Sequence, residues 1–550
     1  MAQDGAITFT VEQAGAEPWH AQFSASPIVV AGDAPYAATF RVRAPKEMKL
    51  DVNLMQAHEP WKVLGSARVN AGPEWREVRA VLRSNAADEK ARFTIGGMGQ
   101  TAGVFEFADF SLRAAEVRGA VVMEGKNARY IRKSELASYT QAAQRDWQEF
   151  IWDTETVYWN GMRDFLKKEL GVKVPIVGTQ GFWSPGHVQA GMDVIDSHAY
   201  WHHPQFEGGD WNPEKWTIKN EPMAGAKDGG TLPGLAAQRV AGKPFICTEY
   251  NHSAPNTYGA ETAPLLAAFA ALQDWDGIFL FAYSHNDKWS QEHFDSFFDI
   301  ARHPVKMATL PGAAVSFRRG DLDTELCNKT TYRVGWERAV ESALKYGPGF
   351  AIQDSDWDRT FSLSIMIKRQ CFTLARELKL QRDLESSSKM TTHASFPWVT
   401  WFHDDNVNII SDKSFGTIFR GYRLLGGASV WPTFSGVDSR QNWACLQLTA
   451  IDGRSFRDAK RILITATGDI ANTDMGWKNA EKTTVGRDWG KAPVLVEGPA
   501  AKIELPGGGK FKAWALDERG QRREEIPVVD GKLEIGPQFK TLWYEVERMP

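Results

Sequence analysis

At 550 residues the chain is long enough for about three or four domains, and a net charge of −4 with a pI near 6.3 and no basic run argues against nucleic acid or anionic membrane as partner. Four scattered cysteines, Cys247, Cys327, Cys371 and Cys445, make neither a disulfide framework nor a zinc spacing, and no run reaches the roughly 18 apolar residues of a membrane span. The opening MAQDGAITF lacks the basic start and apolar core of a secretory signal, so the sequence gives no export address and localisation stays open.

Residues 1–115 read as an antiparallel β-sandwich. TFTVEQ, YAATFRVRA, KLDVNLMQA, REVRAVLRS, ARFTIGG and FEFADFSLR alternate apolar with polar residues and are separated by turn residues, the pattern of half-buried strands. This region resembles the carbohydrate-binding jelly-roll modules of glycosidases. In MQAHEPW, Gln56, His58 and Trp61 stand near a strand end, as a glycan-binding edge or as a packing loop.

Residues 116–320 change period. Ala120–Met123, ending in Glu124 with Asn127 nearby, is a short apolar run that serves as a barrel strand or as a connector. RDWQEFIWDTETVYWNGMRDFL is helical, with Trp147, Trp152 and Trp159 expected on a packing face. Ile176–Thr179, Asp193–Tyr200, Phe245–Glu249 and Gly277–Tyr283 are four apolar runs separated by enough chain for crossover helices, which predicts consecutive parallel βα units. Polar and aromatic residues gather just after each run: Gln180 and Trp183, then His198 and Tyr200, then Glu249, Tyr250, Asn251 and His252, then Tyr283, Ser284 and His285. In a (β/α) barrel the carboxyl ends of the strands build the site. Glu249, closing the run KPFICTE, is accordingly either a nucleophile or a carboxylate that caps the next helix or pairs with an arginine.

Several tryptophans, Trp183, Trp201, Trp211, Trp216 and Trp275, fall within or beside these units, where flat faces stack on pyranose rings or simply pack. Adjacent His202 and His203 in WHHP diverge on extended chain and lack companion ligands, so His202 is read as a substrate or loop contact and no metal is expected. No cofactor is expected either.

A strand ending in His-x-Tyr (His198, Tyr200), then one ending in Glu249, then an aromatic-rich strand, resembles the carboxyl-terminal half of retaining glycoside hydrolases of clan A. GKPFICTEYNHSAPNTYGAE, ALQDWDGIFLFAYSH and FFDIARHP are similar to a large, multidomain, bacterial branch of that cellulase-like superfamily, over about Arg145 to Gly320. The resemblance implies that Glu249 is the nucleophile and that His198 and Tyr200 orient it and contact sugar. It also implies a second carboxyl about 5 to 5.5 Å away as acid/base. The family places that acid in an Asn-Glu pair after the fourth strand; here Asn220 and Glu221 supply the letters but lie between His198 and Glu249, out of order. The roughly 175 residues from Arg145 to Gly320 fall short of the ~250 of a whole barrel. The expectation is therefore a partial barrel lacking strands one to four and the usual acid/base, with pairing of two such halves as a homodimer one way to close its edges.

Residues 321–395, including IMIKRQCFTLARELKLQRDL, are amphipathic and read as a helical connector without functional assignment. From residue 396 to 550 strands return in NVNIISD, GTIFRGY, WACLQLTAIDG, KRILITATGDIAN, KFKAWALDERG, KLEIGP and TLWYEVER, a C-terminal β-sandwich. The expected function is cleavage of β-glycosidic bonds in a polysaccharide or oligosaccharide, with no nucleic acid or membrane as partner. The alternative is a truncated, inactive carbohydrate-binding remnant.

Overall fold

The computed structural model describes residues 6–115, 123–124, 127–128, 131, 133–179, 184–207, 209, 211–224, 226, 229–322, 329–347, 369–375, 393–395, 399–402, 406–410, 414–420, 433–505 and 507–550. They form two compact units, Met1–Ile151 and Trp152–Pro550, divided within the helix Gln141–Asp164.

In the first unit eight strands fold as a jelly roll: β1 (Ile7–Val11), β2 (Phe23–Val30), β3 (Pro35–Arg43), β4 (Met48–Gln56), β5 (Val63–Ala71), β6 (Arg76–Arg83), β7 (Asp88–Gly96) and β8 (Gly103–Ala114). They pair antiparallel in two four-stranded sheets ordered β1-β8-β3-β6 and β2-β7-β4-β5. That interleaving of two Greek keys is the jelly-roll order. The alternation read from sequence selects the core: Ala38, Phe40 and Val42 of β3 and Val78, Ala80 and Leu82 of β6 are buried together with Leu50, Val52 and Leu54 of β4. Each large apolar side chain removed from water in this way stabilises the fold by roughly 1.5–3 kcal/mol before entropy is counted. After β8, Met123–Glu124 pairs antiparallel with Asn127–Ala128, so the run ending in Glu124 is a two-residue hairpin of the connector rather than a barrel strand.

The second unit contains a three-stranded parallel sheet, Ile195–Trp201, Phe245–His252 and Gly277–Leu280, in that order. Val177 adds one parallel bridge to Val194, so the first predicted run reaches the sheet by a single contact instead of a full strand. Between the second and third strands the helix Thr262–Leu272 (TAPLLAAFAAL) is buried at every residue, as an all-apolar segment must be. Parallel sheets are normally covered on both faces. Here the last strand stays half exposed, with Phe279 at 56 %.

The helix Pro304–Arg319 lies between this sheet and the C-terminal strands. Trp543 Nε1 donates to the Ala308 carbonyl at 2.8 Å. Gly312 permits the close approach, since a Cβ there would meet the Gln447 and Thr449 side chains at 2.8 Å. The C-terminal region is a sandwich of a nine-stranded and a four-stranded sheet around a core that includes Leu446, Leu448, Ile464, Ile503, Leu533, Tyr544 and Val546. Trp443–Ala450 is buried at all eight residues because one face meets that core while Trp443 and Cys445 join the core of the parallel sheet.

The described residues of 321–395 differ from the helical expectation. Among them only Trp336–Tyr346 is α-helix; Lys329–Gly335 and Arg369–Ala375 are strands paired parallel with each other, and His393–Ser395 begins the nine-stranded sheet. The β-branched and aromatic run KTTYRVG favours strand, and non-local pairing outweighs the helical periodicity of RQCFTLA. No helix among the described residues is long and apolar enough to cross a membrane.

Candidate active site at the strand ends

Parallel register sets His198 beside Glu249 and Tyr200 beside Asn251, with a bulge between Asp196 and His198 that re-aims the end of the strand. The Tyr200 hydroxyl donates to Glu249 Oε2 at 2.7 Å, and His198 Nδ1 stands 3.4 Å from the same oxygen. Among the described residues no hydrogen bond reaches Glu249 Oε1, and the side chain is 30 % exposed. Burial, and then the hydrogen bond to Glu249, push the Tyr200 phenol well above its usual range, so it stays a donor.

His198 is braced from behind. Its Nε2 lies 2.6 Å from Thr248 Oγ1 and 3.0 Å from Asp196 Oδ2. Thr248 gives its own hydroxyl proton to Asp196 Oδ2 at 2.7 Å, so it accepts from His198 Nε2–H, which turns Nδ1 toward Glu249. Asp196 is fully buried and also accepts the Thr248 amide at 3.0 Å.

An aromatic wall stands beside the pair. Tyr200 packs against Phe298 (ring centroids 4.8 Å apart), His203 (5.4 Å) and Phe281 (6.1 Å), and Trp211 continues the row through His203 and Phe206. Tyr283 and Trp289, both more than half exposed, lie 6.3 Å apart at 34°. Trp211 is likewise exposed.

The structure separates the residues picked from sequence. His198, Tyr200 and Glu249 converge, and Trp211 and Tyr283 present open faces. Tyr250, Asn251 and His252 are sealed in the interior, so the expectation that they touch substrate is corrected. The turn of the strand at its bulge places Tyr250 against Met223 and His252, and Asn251 against the carbonyls of Phe281 and Phe298. Trp201, Trp216 and Trp275 are also buried: Trp201 donates to the Glu221 carbonyl, Trp216 stacks on Trp489, and Trp275 packs on Phe245 and Phe269. Trp183 lies outside the described residues.

Glu221 reaches the strand ends through its backbone, whose carbonyl accepts from Trp201 Nε1 and Asn256 Nδ2. Its carboxylate, 51 % exposed, stands 2.8 Å from His202 Nε2, off the line of a good hydrogen bond. Burial holds the His202 imidazole below its usual range against the pull of Glu221. His202 faces Glu221 while His203 faces Tyr200 and Trp211, so the adjacent histidines diverge. Ser284 and His285 are spent inside their loop, on Asn286 and on Asp299.

On the jelly roll, Gln56, His58 and Trp61 do come together, around Asp88. Gln56 Nε2 and His58 Nε2 reach Asp88 Oδ2 at 3.1 and 3.0 Å, and the Gln56 carbonyl oxygen accepts the Lys62 amide. His58 Nδ1 donates to the Glu59 carbonyl at 2.7 Å. Gln56 and His58 therefore spend their polar atoms holding the loop, a correction to their reading as sugar contacts. Trp61 is the exposed member, with the Arg92 guanidinium 5.5 Å from its ring centroid.

Sequence reasoning missed Asp196, Thr248, Phe298 and Trp289. Asp196 had a signal, a carboxylate two residues before His198 and hence on its face of a strand. Thr248 adjoins Glu249 but is hidden in its apolar run, and Phe298 meets Tyr200 from far along the chain, which no local pattern reveals.

No family model matches the chain, and no curated protein matches it. Among solved structures it is similar to the N-terminal cellulose-binding domain of Cellulomonas fimi β-1,4-glucanase C (14 % identity, 20 % of this chain and 78 % of that one, TM-score 0.18). The second N-terminal cellulose-binding domain of that glucanase is similar at 16 % identity, over 20 % of this chain and 77 % of that one, with a TM-score of 0.19. A family 16 carbohydrate-binding module is similar at 11 % identity over 18 % of this chain and 72 % of that one, TM-score 0.14. At these scores the likenesses carry no functional weight, and the jelly-roll assignment rests on strand order.

Proposed function

We propose that the chain is a glycoside hydrolase of retaining type acting on a β-linked polysaccharide or oligosaccharide, with Glu249 as nucleophile and the parallel strands as part of a (β/α) barrel. One observation carries the reading: a half-open carboxylate at the carboxyl ends of parallel strands has one oxygen held by a phenol and the other without a hydrogen bond among the described residues, beside exposed aromatic faces. A carboxylate so held is oriented for attack on an anomeric carbon while its partner oxygen keeps the charge in place. Trp211, Tyr283 and Trp289 would stack on sugar rings, and Trp61 of the jelly roll would bind glycan away from the site.

A second reading, a glycan-binding protein without turnover, is favoured by the pairing of Glu221 with His202 instead of a place beside Glu249. An activated 2-deoxy-2-fluoro-β-glycoside separates the two. Attack by Glu249 expels the activated leaving group and leaves a glycosyl ester that intact-mass and peptide mapping locate. Labelling at Glu249 supports the hydrolase; glycan affinity without labelling across gluco-, manno-, xylo- and galacto-configured probes supports the binding protein.

A further inference from the structure

We propose that Lys306 is a positioning residue for Glu249, acting through the Asn251 amide on the two backbone segments that hold the Tyr200 ring. The inference rests on the reading of Glu249 as the reactive carboxylate.

Lys306, on the helix Pro304–Arg319, is fully buried, an unusual place for an amine. Its Nζ donates to Asn251 Oδ1 at 2.6 Å and to the His252 carbonyl at 2.5 Å. With its oxygen captured, the Asn251 amide has one possible orientation, and Nδ2 donates to the carbonyls of Phe281 (2.5 Å) and Phe298 (2.7 Å). Those two residues carry the rings that flank Tyr200, and Tyr200 donates to Glu249. The chain of contacts thus runs from a buried amine through one amide to two main-chain carbonyls and on to the phenol.

An aliphatic residue of similar length would fill the same space, so packing alone does not call for an amine here. The ionisable neighbours are few. Asp299 acts on Lys306 from a distance and is itself held by Arg302 at 2.7 Å and by His285. His252 and His303 are buried, and burial followed by the charge of Lys306 keeps both imidazoles well below their usual range. Glu261 lies one step further, 3.4 Å from His252 Nδ1. Burial, only partly offset by Asp299, pushes Lys306 down to about 7.

Two variants of the full chain test the proposal. Lys306→Met keeps the stem and removes the donors; Asn251→Asp keeps the Lys306 contact but cannot donate to either carbonyl. The readouts are the Tyr200 resonance in protein labelled with 13Cζ-tyrosine, assigned with Tyr200→Phe, and the rate of covalent labelling by the fluoro-glycoside. Both variants are expected to shift the Tyr200 resonance. Both are also expected to slow labelling by roughly 10- to 100-fold at unchanged affinity for the probe. A Tyr200 resonance that stays at its wild-type position in a folded variant overturns the positioning role, whether or not the wild type is labelled. A wild type that is never labelled, with the resonance shifted in the variants, instead sinks the hydrolase reading and leaves the coupling standing. Should Lys306→Met fail to fold, Asn251→Asp alone decides.

Discussion

Asp88 on the jelly roll and Glu249 on the parallel sheet are built from the same parts and left in opposite states. Each is a carboxylate at the end of a strand with a histidine beside it. Asp88 is 5 % exposed, and both its oxygens are filled: Oδ2 by Gln56 and His58, Oδ1 by the Lys90 amide at 2.8 Å. Burial pushes its pKa up, yet these hydrogen bonds together hold it below the usual carboxylate range. Glu249 has one oxygen filled, and among the described residues no hydrogen bond reaches the other. A fully satisfied carboxylate fixes a loop, whereas a half-satisfied one is available for chemistry. Each has a histidine at hand, and the difference lies in the count of donors.

Substitution at the two acids has the largest expected effects. Glu249→Gln is expected to abolish fluoro-glycoside labelling and to lower any glycosidase turnover by about 10⁴-fold or more, with the denaturation profile unchanged. Asp88→Asn should do the reverse, lowering the unfolding temperature of the first unit and sparing labelling. Equal loss of labelling in both would mean that the two carboxylates do not differ in role. Tyr200→Phe removes the one hydrogen bond that reaches Glu249 among the described residues and should slow labelling by roughly 10²-fold, the scale for one hydrogen bond to a charged reacting group.

pH sharpens the contrast, because buried acids in the two units shift in opposite directions. Asp88 sits below its unfolded value of 3.8, so its contribution to stability is present above that pH and is lost as pH falls. Glu261, fully buried beneath the Glu249 strand, is raised by burial to about 8 despite hydrogen bonds from the Met223 and Ala224 amides. Its contribution is complete below the unfolded value of 4.5 and is lost as pH rises through 8. Wild type minus Glu261→Gln is therefore expected to show the second unit losing up to several kcal/mol between those limits. Burial keeps the His252, His303 and Lys306 pKa values lowered in both proteins, so the Glu261 titration dominates the difference. A flat difference in urea midpoints over that range would show that Glu261 is not protonated in the fold.

How much of this was legible in the sequence follows the range of the contacts. The jelly roll was readable because two-residue alternation records burial strand by strand: FRVR and VLR show their core positions directly. The parallel units were readable too, since runs such as DVIDSHAY and FICTEY are apolar until the point where the site begins. What lay after the strand ends was misread. Tyr250, Asn251 and His252 look like surface polar residues in sequence, but their strand runs on past the bulge and turns them inward. Trp216 and Trp275 failed for a related reason, being placed by partners such as Trp489 and Phe269 that no local pattern supplies. RQCFTLA reads as helix until its partner strand, about forty residues earlier, is known.

The smallest effect concerns Trp61, the one exposed survivor of the jelly-roll cluster. With Gln56 and His58 committed to Asp88 and the Arg92 guanidinium against its ring, Trp61 has a face left for a pyranose and no polar neighbour free to select one sugar. It should therefore give affinity without much discrimination. In a Glu249→Gln background, which prevents turnover, Trp61→Ala is expected to weaken binding of a long β-linked oligosaccharide by roughly tenfold, about 1.4 kcal/mol, in calorimetric titrations. Trp211→Ala, in the other compact unit, should also weaken binding of the oligosaccharide. If Trp61→Ala changes nothing while Trp211→Ala removes all binding, recognition belongs to the strand ends alone, and the jelly roll holds its carboxylate for stability only.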